Sequence, residues 1–216
     1  MRLFVALDIP ETIRHAICAY VDGLRRVAPD AKWMRPESYH ITLKFIGEWR
    51  RDVREVIDAL QKIEATPVTV SIRGNGFFPN PHSPRVFWVG IEADSLDDSR
   101  CGDGLPSPPR RSEAPQTSTV LSVLAGKVDE AGSTLGIERE SREFSPHLTL
   151  ARSGSGSPRP RKDERLAPSM KRLAERIATM PSPDFGTIHA NEFFLYESKL
   201  SPSGAMYTKL RSFPLR

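Results

Sequence analysis

PHLTLAR, residues 146–152, repeats at its centre the pattern of YHITLKF, residues 39–45. Both runs alternate and are rich in apolar or β-branched residues, so both read as strands. Successive side chains on a strand point to opposite faces. His40 and Thr42 therefore share one face, as do His147 and Thr149, while Ile41, Leu43, Leu148 and Leu150 supply the opposite, core-facing one. Writing the same face twice in one chain predicts two equivalent lobes, each delivering an imidazole and a hydroxyl.

Outward from the first motif, RLFVALDI (2–9) reads as a buried strand, and Ile13, Ile17, Tyr20, Val21 and Leu24 recur at helical spacing after Pro10. Residues 51–64 put Val53, Val56, Ile57, Leu60 and Ile63 on one helical face. VTVSI (68–72) and VFWVGI (86–91) read as strands joined by the Gly/Pro-rich connection GNGFFPNPHSPR. From 94 to 118 the composition turns to Ser, Pro, Asp, Gly and Arg without apolar periodicity, which predicts a mobile surface insertion. A helix over about 119–135 precedes the second motif strand. The run SGSGSPRPRKD, a helix over about 162–179 and strands over 186–197 and 205–213 follow it. The second half thus resembles the first in kind, a rough internal symmetry that a duplicated lobe would explain.

Composition sets bounds. The chain has 216 residues, 38% of them hydrophobic, enough for a sizeable core. A net charge of +4 suits an anionic ligand and falls well short of a histone-like binder. Cys18 and Cys101 make neither a disulfide framework nor a zinc pattern, which points to a reducing compartment. The first apolar run is interrupted by Asp8 and Pro10, and no run reaches membrane-spanning length. A cytoplasmic protein with no membrane association is expected.

Two imidazoles and two hydroxyls facing one cleft are an inventory for phosphodiester chemistry. One imidazole takes a proton from the attacking oxygen and the other gives one to the departing oxygen, since both titrate in the useful range. Threonine hydroxyls can hold non-bridging oxygens where charge builds. The motif lacks the carboxylate or thiolate partners of zinc or two-metal hydrolases, so no metal or cofactor is expected. His15 in the first helix, His82 in a proline-rich loop and His189 alone in its strand read as structural or surface residues. Trp33, Phe77, Phe78 and Trp88 read as core, because aromatic residues mostly serve burial.

Five blocks, in order, carry a family resemblance: RLFVALDIPE at the start, RPESYHITLKFIGE (35–48), PRVFWVGIE (84–92), FSPHLTLAR (144–152) and FFLYESKLSPSGAMYTKLRSFPL (193–215). The chain resembles the RNA 2′,3′-cyclic phosphodiesterases, or 2′-5′ RNA ligase-like proteins, of the two-histidine phosphoesterase superfamily. That resemblance implies an α+β fold of two pseudo-symmetric lobes, each an antiparallel sheet flanked by helices around a shared cleft, one bilobed domain over 1–216. It also implies a reaction in which water opens a 2′,3′-cyclic phosphate at an RNA or oligonucleotide 3′ end to leave a 2′-phosphate; a monomer is expected. Carried over, His40 is the general acid, His147 the general base, and Thr42 and Thr149 hold the phosphate. Arg152 matches a basic residue near phosphate, and Phe45, its counterpart five residues after His40, either stacks a nucleobase or packs in the core. Strict alternation turns both away from the cleft unless a bulge, a strand end or a twist intervenes. Arg35, Tyr39, Ser145 and Pro146 are expected on the cleft rim. PRPRK (158–162) either steers RNA or is a solvated linker beside Asp163 and Glu164. The same histidines would serve 2′-5′ ligation or cleavage of that linkage. A non-catalytic RNA-end binding module is the reading from another class, though binding alone would not require two titratable groups.

Overall fold

In the computed structural model, which describes residues 1–93, 120–153, 168–201 and 204–216, the run RLFVALD forms β1 (Arg2–Asp8). Its Leu3, Val5 and Leu7 enter the main core, while Phe4 and Ala6 point the other way, into a small second cluster with Phe194 and Tyr196. A strand apolar on both faces belongs inside a sheet. β1 lies there, between β3 (His40–Glu48) and β8 (Glu192–Ser201), with β9 (Gly204–Pro214) outermost.

The second sheet has the order β2 (Lys32–Trp33), β6 (His147–Arg152), β5 (Val86–Ala93), β4 (Val68–Phe78), β7 (Asp184–Ala190). Every pairing in both sheets is antiparallel. Four α-helices among the described residues pack on them: α1 (Glu11–Arg25), α2 (Val53–Leu60), α3 (Val120–Thr134) and α4 (Pro168–Ile177). In α1 the residues spaced for one face, Ile13, Ile17, Val21 and Leu24, are the buried ones. The Asp52 side chain caps α2 by accepting from the Arg54 N–H. The architecture is α+β, as the sequence predicts, and no described helix is long and apolar enough to cross a membrane.

The two lobes are not the two halves of the chain. Each sheet draws strands from both: β1 and β3 pair with β8 and β9, and β4 and β5 pair with β6 and β7. Strand-partner choice is non-local, so a sequence reading of successive elements misses it. The predicted strand 186–197 is two strands in different sheets, broken at Asn191. The predicted connection after residue 72 continues as β4 to Phe78. A register shift between Arg73 and Asn75 lets it pass, with Gly74 at φ +69°, a conformation that favours glycine. The segment 94–118 and PRPRK lie outside the described residues.

This topology puts β3 at one edge of its sheet, and β6 at the edge of the other except for the two-residue β2. Cα atoms of the two motif strands come within 8 Å of each other. The cleft lies between them.

Candidate active site

Each motif strand carries one extra residue at the same place. Val5 pairs with Lys44 and Ala6 with Thr42, which leaves Leu43 unpaired. Phe87 pairs with Ala151 and Trp88 with Thr149, which leaves Leu150 unpaired. Both extra residues stand third after the histidine. Along six residues the two strands share one exposure pattern: half-buried, buried, half-buried, two successive buried, exposed. The bulge resets the alternation, so the odd offsets of Phe45 and Arg152 return to the histidine face. Phe45 is 68% exposed, which overturns the core-packing alternative for it.

The imidazoles are held alike. Nδ1 of His40 lies 2.8 Å from the Ser38 carbonyl oxygen, and Nδ1 of His147 lies 2.8 Å from that of Ser145. A carbonyl only accepts, so each Nδ1 carries the proton and each Nε2 is left as the free acceptor. Burial pushes the pKa of His40 down to about 4, against the Ser38 hydrogen bond and the Asp8 carboxylate, which raise it; the charge of His147 lowers it further. Burial lowers that of His147 too, against the Ser145 hydrogen bond and with the help of Arg152. Aromatic rings stand against both imidazoles. Phe4 lies 4.7 Å and Tyr207 5.1 Å from the His40 ring, ring centre to ring centre, and Phe78 lies 5.0 Å from the His147 ring.

Asp8 is the register partner of His40, and its carboxylate is held by Lys209 (2.6 Å) and Arg14 (3.3 Å). The corresponding partner of His147 is Gly90, where an added Cβ would sit 2.6 Å from the Arg73 carbonyl oxygen. The neighbours of the two histidines therefore differ: a carboxylate stands beside one and Arg152 acts on the other. Among the described residues neither the Thr42 nor the Thr149 hydroxyl has a hydrogen-bond partner, and both side chains are half-buried.

A cavity of about 840 Å³ opens between the strands, with Thr42, Phe45 and His147 on its wall. His40, Thr149 and Arg152 lie off that wall. They are tied to it through neighbours: Phe4 contacts both His40 and Phe45, Arg152 acts electrostatically on His147, and Thr149 pairs across the ladder with Trp88, which contacts Phe78 on the wall.

Two aromatic expectations are corrected. Phe78 lines the cavity, and Trp88 contacts both Phe78 (5.1 Å) and His147 (6.5 Å), so these half-buried rings belong to the site rather than the core. The indole lies flat over Gly76, its cross-strand partner, which leaves no room there for a Cβ. A glycine opposite a tryptophan was the available signal, but it shows only once the pairing is known. Phe77 is buried as expected, and Trp33 packs partly buried against the core. Tyr39 is not on the rim: it is 2% exposed and lies in the main core, while Arg35 and Ser145 are exposed. Phe4, Tyr196 and Tyr207, which enclose His40, carried no local motif. His15 pairs with Glu11 on the surface of α1, and His189 meets Thr69 across the β4–β7 ladder, away from the cleft.

A family model described as LigT like phosphoesterase matches residues 7–88 and 113–207. Over nearly full length on both sides the chain is similar to two proteins named RNA 2′,3′-cyclic phosphodiesterase. One, from Archaeoglobus fulgidus, is 30% identical, with 99% of each chain covered. The other, from Methanothermobacter thermautotrophicus, is 31% identical, with 100% of this chain and 99% of that one covered. A crystal structure of TT0787 of Thermus thermophilus, 27% identical, superposes with a TM-score of 0.67 over 100% of this chain and 98% of that one. The fold is also that of E. coli LigT complexed with 3′-AMP, at 23% identity and TM-score 0.65 over 99% and 97% of the two chains.

Proposed function

Since this chain belongs to the family of LigT-like phosphoesterases, we propose that it hydrolyses the 2′,3′-cyclic phosphate at an RNA 3′ end to a 2′-phosphate, with His40 and His147 as the proton-transfer pair. The observation that carries the reading is the matched presentation of two imidazoles: each is fixed by Nδ1 on a backbone carbonyl, and each offers Nε2 from bulged strands that adjoin one cleft.

His147, beside Arg152, is suited to the neutral base that takes a proton from water. Water oxygen bonds to phosphorus, the bond from phosphorus to O3′ breaks, and His40 gives its proton to O3′. Asp8 favours the imidazolium that this acid role requires. Burial opposes it, and the bound phosphate anion, an opposite charge close by, raises the His40 pKa to restore it. Thr42, Thr149 and Arg152 then meet the non-bridging oxygens, and Phe45 offers an exposed ring for a base. After release, exchange with solvent moves the proton from His147 back to His40.

The test is to incubate the protein, without nucleotide triphosphate and with a chelator, with an oligoribonucleotide ending in a 2′,3′-cyclic phosphate and to identify the product. A 2′-phosphate is expected, and His40→Ala or His147→Ala should lower turnover by about 10² to 10⁴ with the far-UV circular dichroism unchanged. A 3′-phosphate product, loss of activity to the chelator, or full turnover by the double variant would overturn it.

A further inference from the structure

The cavity is larger than one phosphate and one base need. From Thr42 and His147 it runs past Phe78 and Arg85 to Ser122 and Gly126 on α3 and to the segment around Phe144. At about 840 Å³ it is near the upper end of small-molecule sites, which run to about 1,000 Å³.

The charges on its wall are not evenly committed. Lys44 is bound to Asp129 at 2.5 Å, and Arg142 lies 3.5 Å from Glu140. Arg85 and Glu143 remain, both exposed, and neither has an ion-pair partner among the described residues. The Arg85 backbone is fixed at both ends: its N–H donates to the Phe78 carbonyl at 2.8 Å, and its carbonyl accepts from the Ser153 N–H at 2.8 Å. A guanidinium with an anchored backbone, next to an aromatic ring and continuous with the catalytic cleft, suits a second phosphate of the same strand. Glu143 is an acceptor only, fit for a ribose hydroxyl and unfit for phosphate, which leaves the phosphodiester to Arg85.

We infer that this part of the cavity is a subsite for the penultimate nucleotide of an RNA 3′ end, with Arg85 on the phosphodiester that joins it to the terminal nucleotide and Phe78 and Phe144 beside its base. The inference rests on the proposed function for the identity of the strand. It adds that the preferred substrate is a chain of two or more nucleotides rather than a free cyclic mononucleotide.

Equilibrium binding separates the two readings because it needs no turnover. The probes are a mononucleotide 2′-phosphate and a dinucleotide that carries the same 2′-phosphate at its 3′ end. Calorimetry should find the dinucleotide bound about tenfold or more tightly, the order expected of one added stacked base. Arg85→Ala should bring the ratio of the two affinities toward one and reduce the slope of log affinity against log salt for the dinucleotide by about 0.7. Hydrolysis of the matching cyclic-ended mono- and dinucleotides should give kcat/KM in the same order. Equal affinities in the unsubstituted protein, or an Arg85→Ala loss of equal size for both ligands, overturns the subsite. Preferential dinucleotide binding without hydrolysis of either cyclic substrate would sustain the subsite while overturning the phosphodiesterase reading.

Discussion

At the scale of single residues, the enclosure that prepares His40 for chemistry also couples its protonation to folding. The folded chain holds the His40 pKa near 4, from an ordinary value of 6.5, because burial penalises the imidazolium. Between those values the unfolded chain binds more protons than the folded one, so stability rises with pH through that window and falls as pH drops from 6.5 toward 4. Urea midpoints measured at pH 4.5, 5.5 and 7 should climb, and His40→Gln should flatten part of the climb. An identical climb in the variant would mean that other groups carry it. The four motif residues were legible in sequence because alternation on one strand is local: His40, Thr42, His147 and Thr149 share their faces whatever the sheet does next. The residues that enclose them, Phe4, Phe78, Trp88 and Tyr207, were not, because only pairing across strands brings an aromatic residue from elsewhere beside an imidazole.

At the scale of an element, the bulge in β3 needs a device to hold it, and Lys44 provides one. It follows the unpaired Leu43, is 7% exposed, and reaches the Asp129 carboxylate on α3 and the Glu138 carbonyl oxygen. Its stem passes α3 at Gly132, where a Cβ would come within 3.0 Å of the Lys44 Cε. Burial works against the Asp129 carboxylate, but hydrogen bonds from Lys44 and the Glu140 N–H outweigh it and hold the pKa below its ordinary value. Removing one partner of such a pair strands the other. Lys44→Ala should cost about 1–3 kcal/mol in urea unfolding, less than a fully buried pair because Asp129 keeps some solvent, and Lys44→Met with Asp129→Leu should recover most of the loss. Failure of the pair to recover would place the cost in packing against Gly132 instead. The bulge also marks how far sequence reading reached. In β6 two apolar residues in succession, Leu150 and Ala151, hint at the reset, but in β3 the second position is a lysine, which hides it. The side on which Phe45 falls was therefore undecidable from sequence.

At the scale of the whole molecule, the interleaving of strands makes each lobe dependent on both ends of the chain. β1 needs β8 on one side, and β4 and β5 need β7 and β6, all from beyond residue 146. The main core likewise joins Leu3 and Ile17 to Leu173 and Phe213. The repeated motif suggested that each half is a lobe, and had that been so, residues 1–93 would fold alone. The observed pairing leaves that fragment with two separated two-stranded ladders, each with an apolar strand stripped of a neighbour, and isolated ladders of that kind are marginal in water. All three tryptophans of the chain, Trp33, Trp49 and Trp88, lie in the fragment, so their fluorescence reports on it directly. Residues 1–93 alone should emit as solvent-exposed indoles and show no cooperative urea transition, and mixing with residues 120–216 should restore a blue-shifted emission and a cooperative transition. A native-like transition in the isolated fragment would mean that the lobes are autonomous after all. The cleft would then be an interface between two separately folded units, rather than a gap between sheets that each require both halves of the chain.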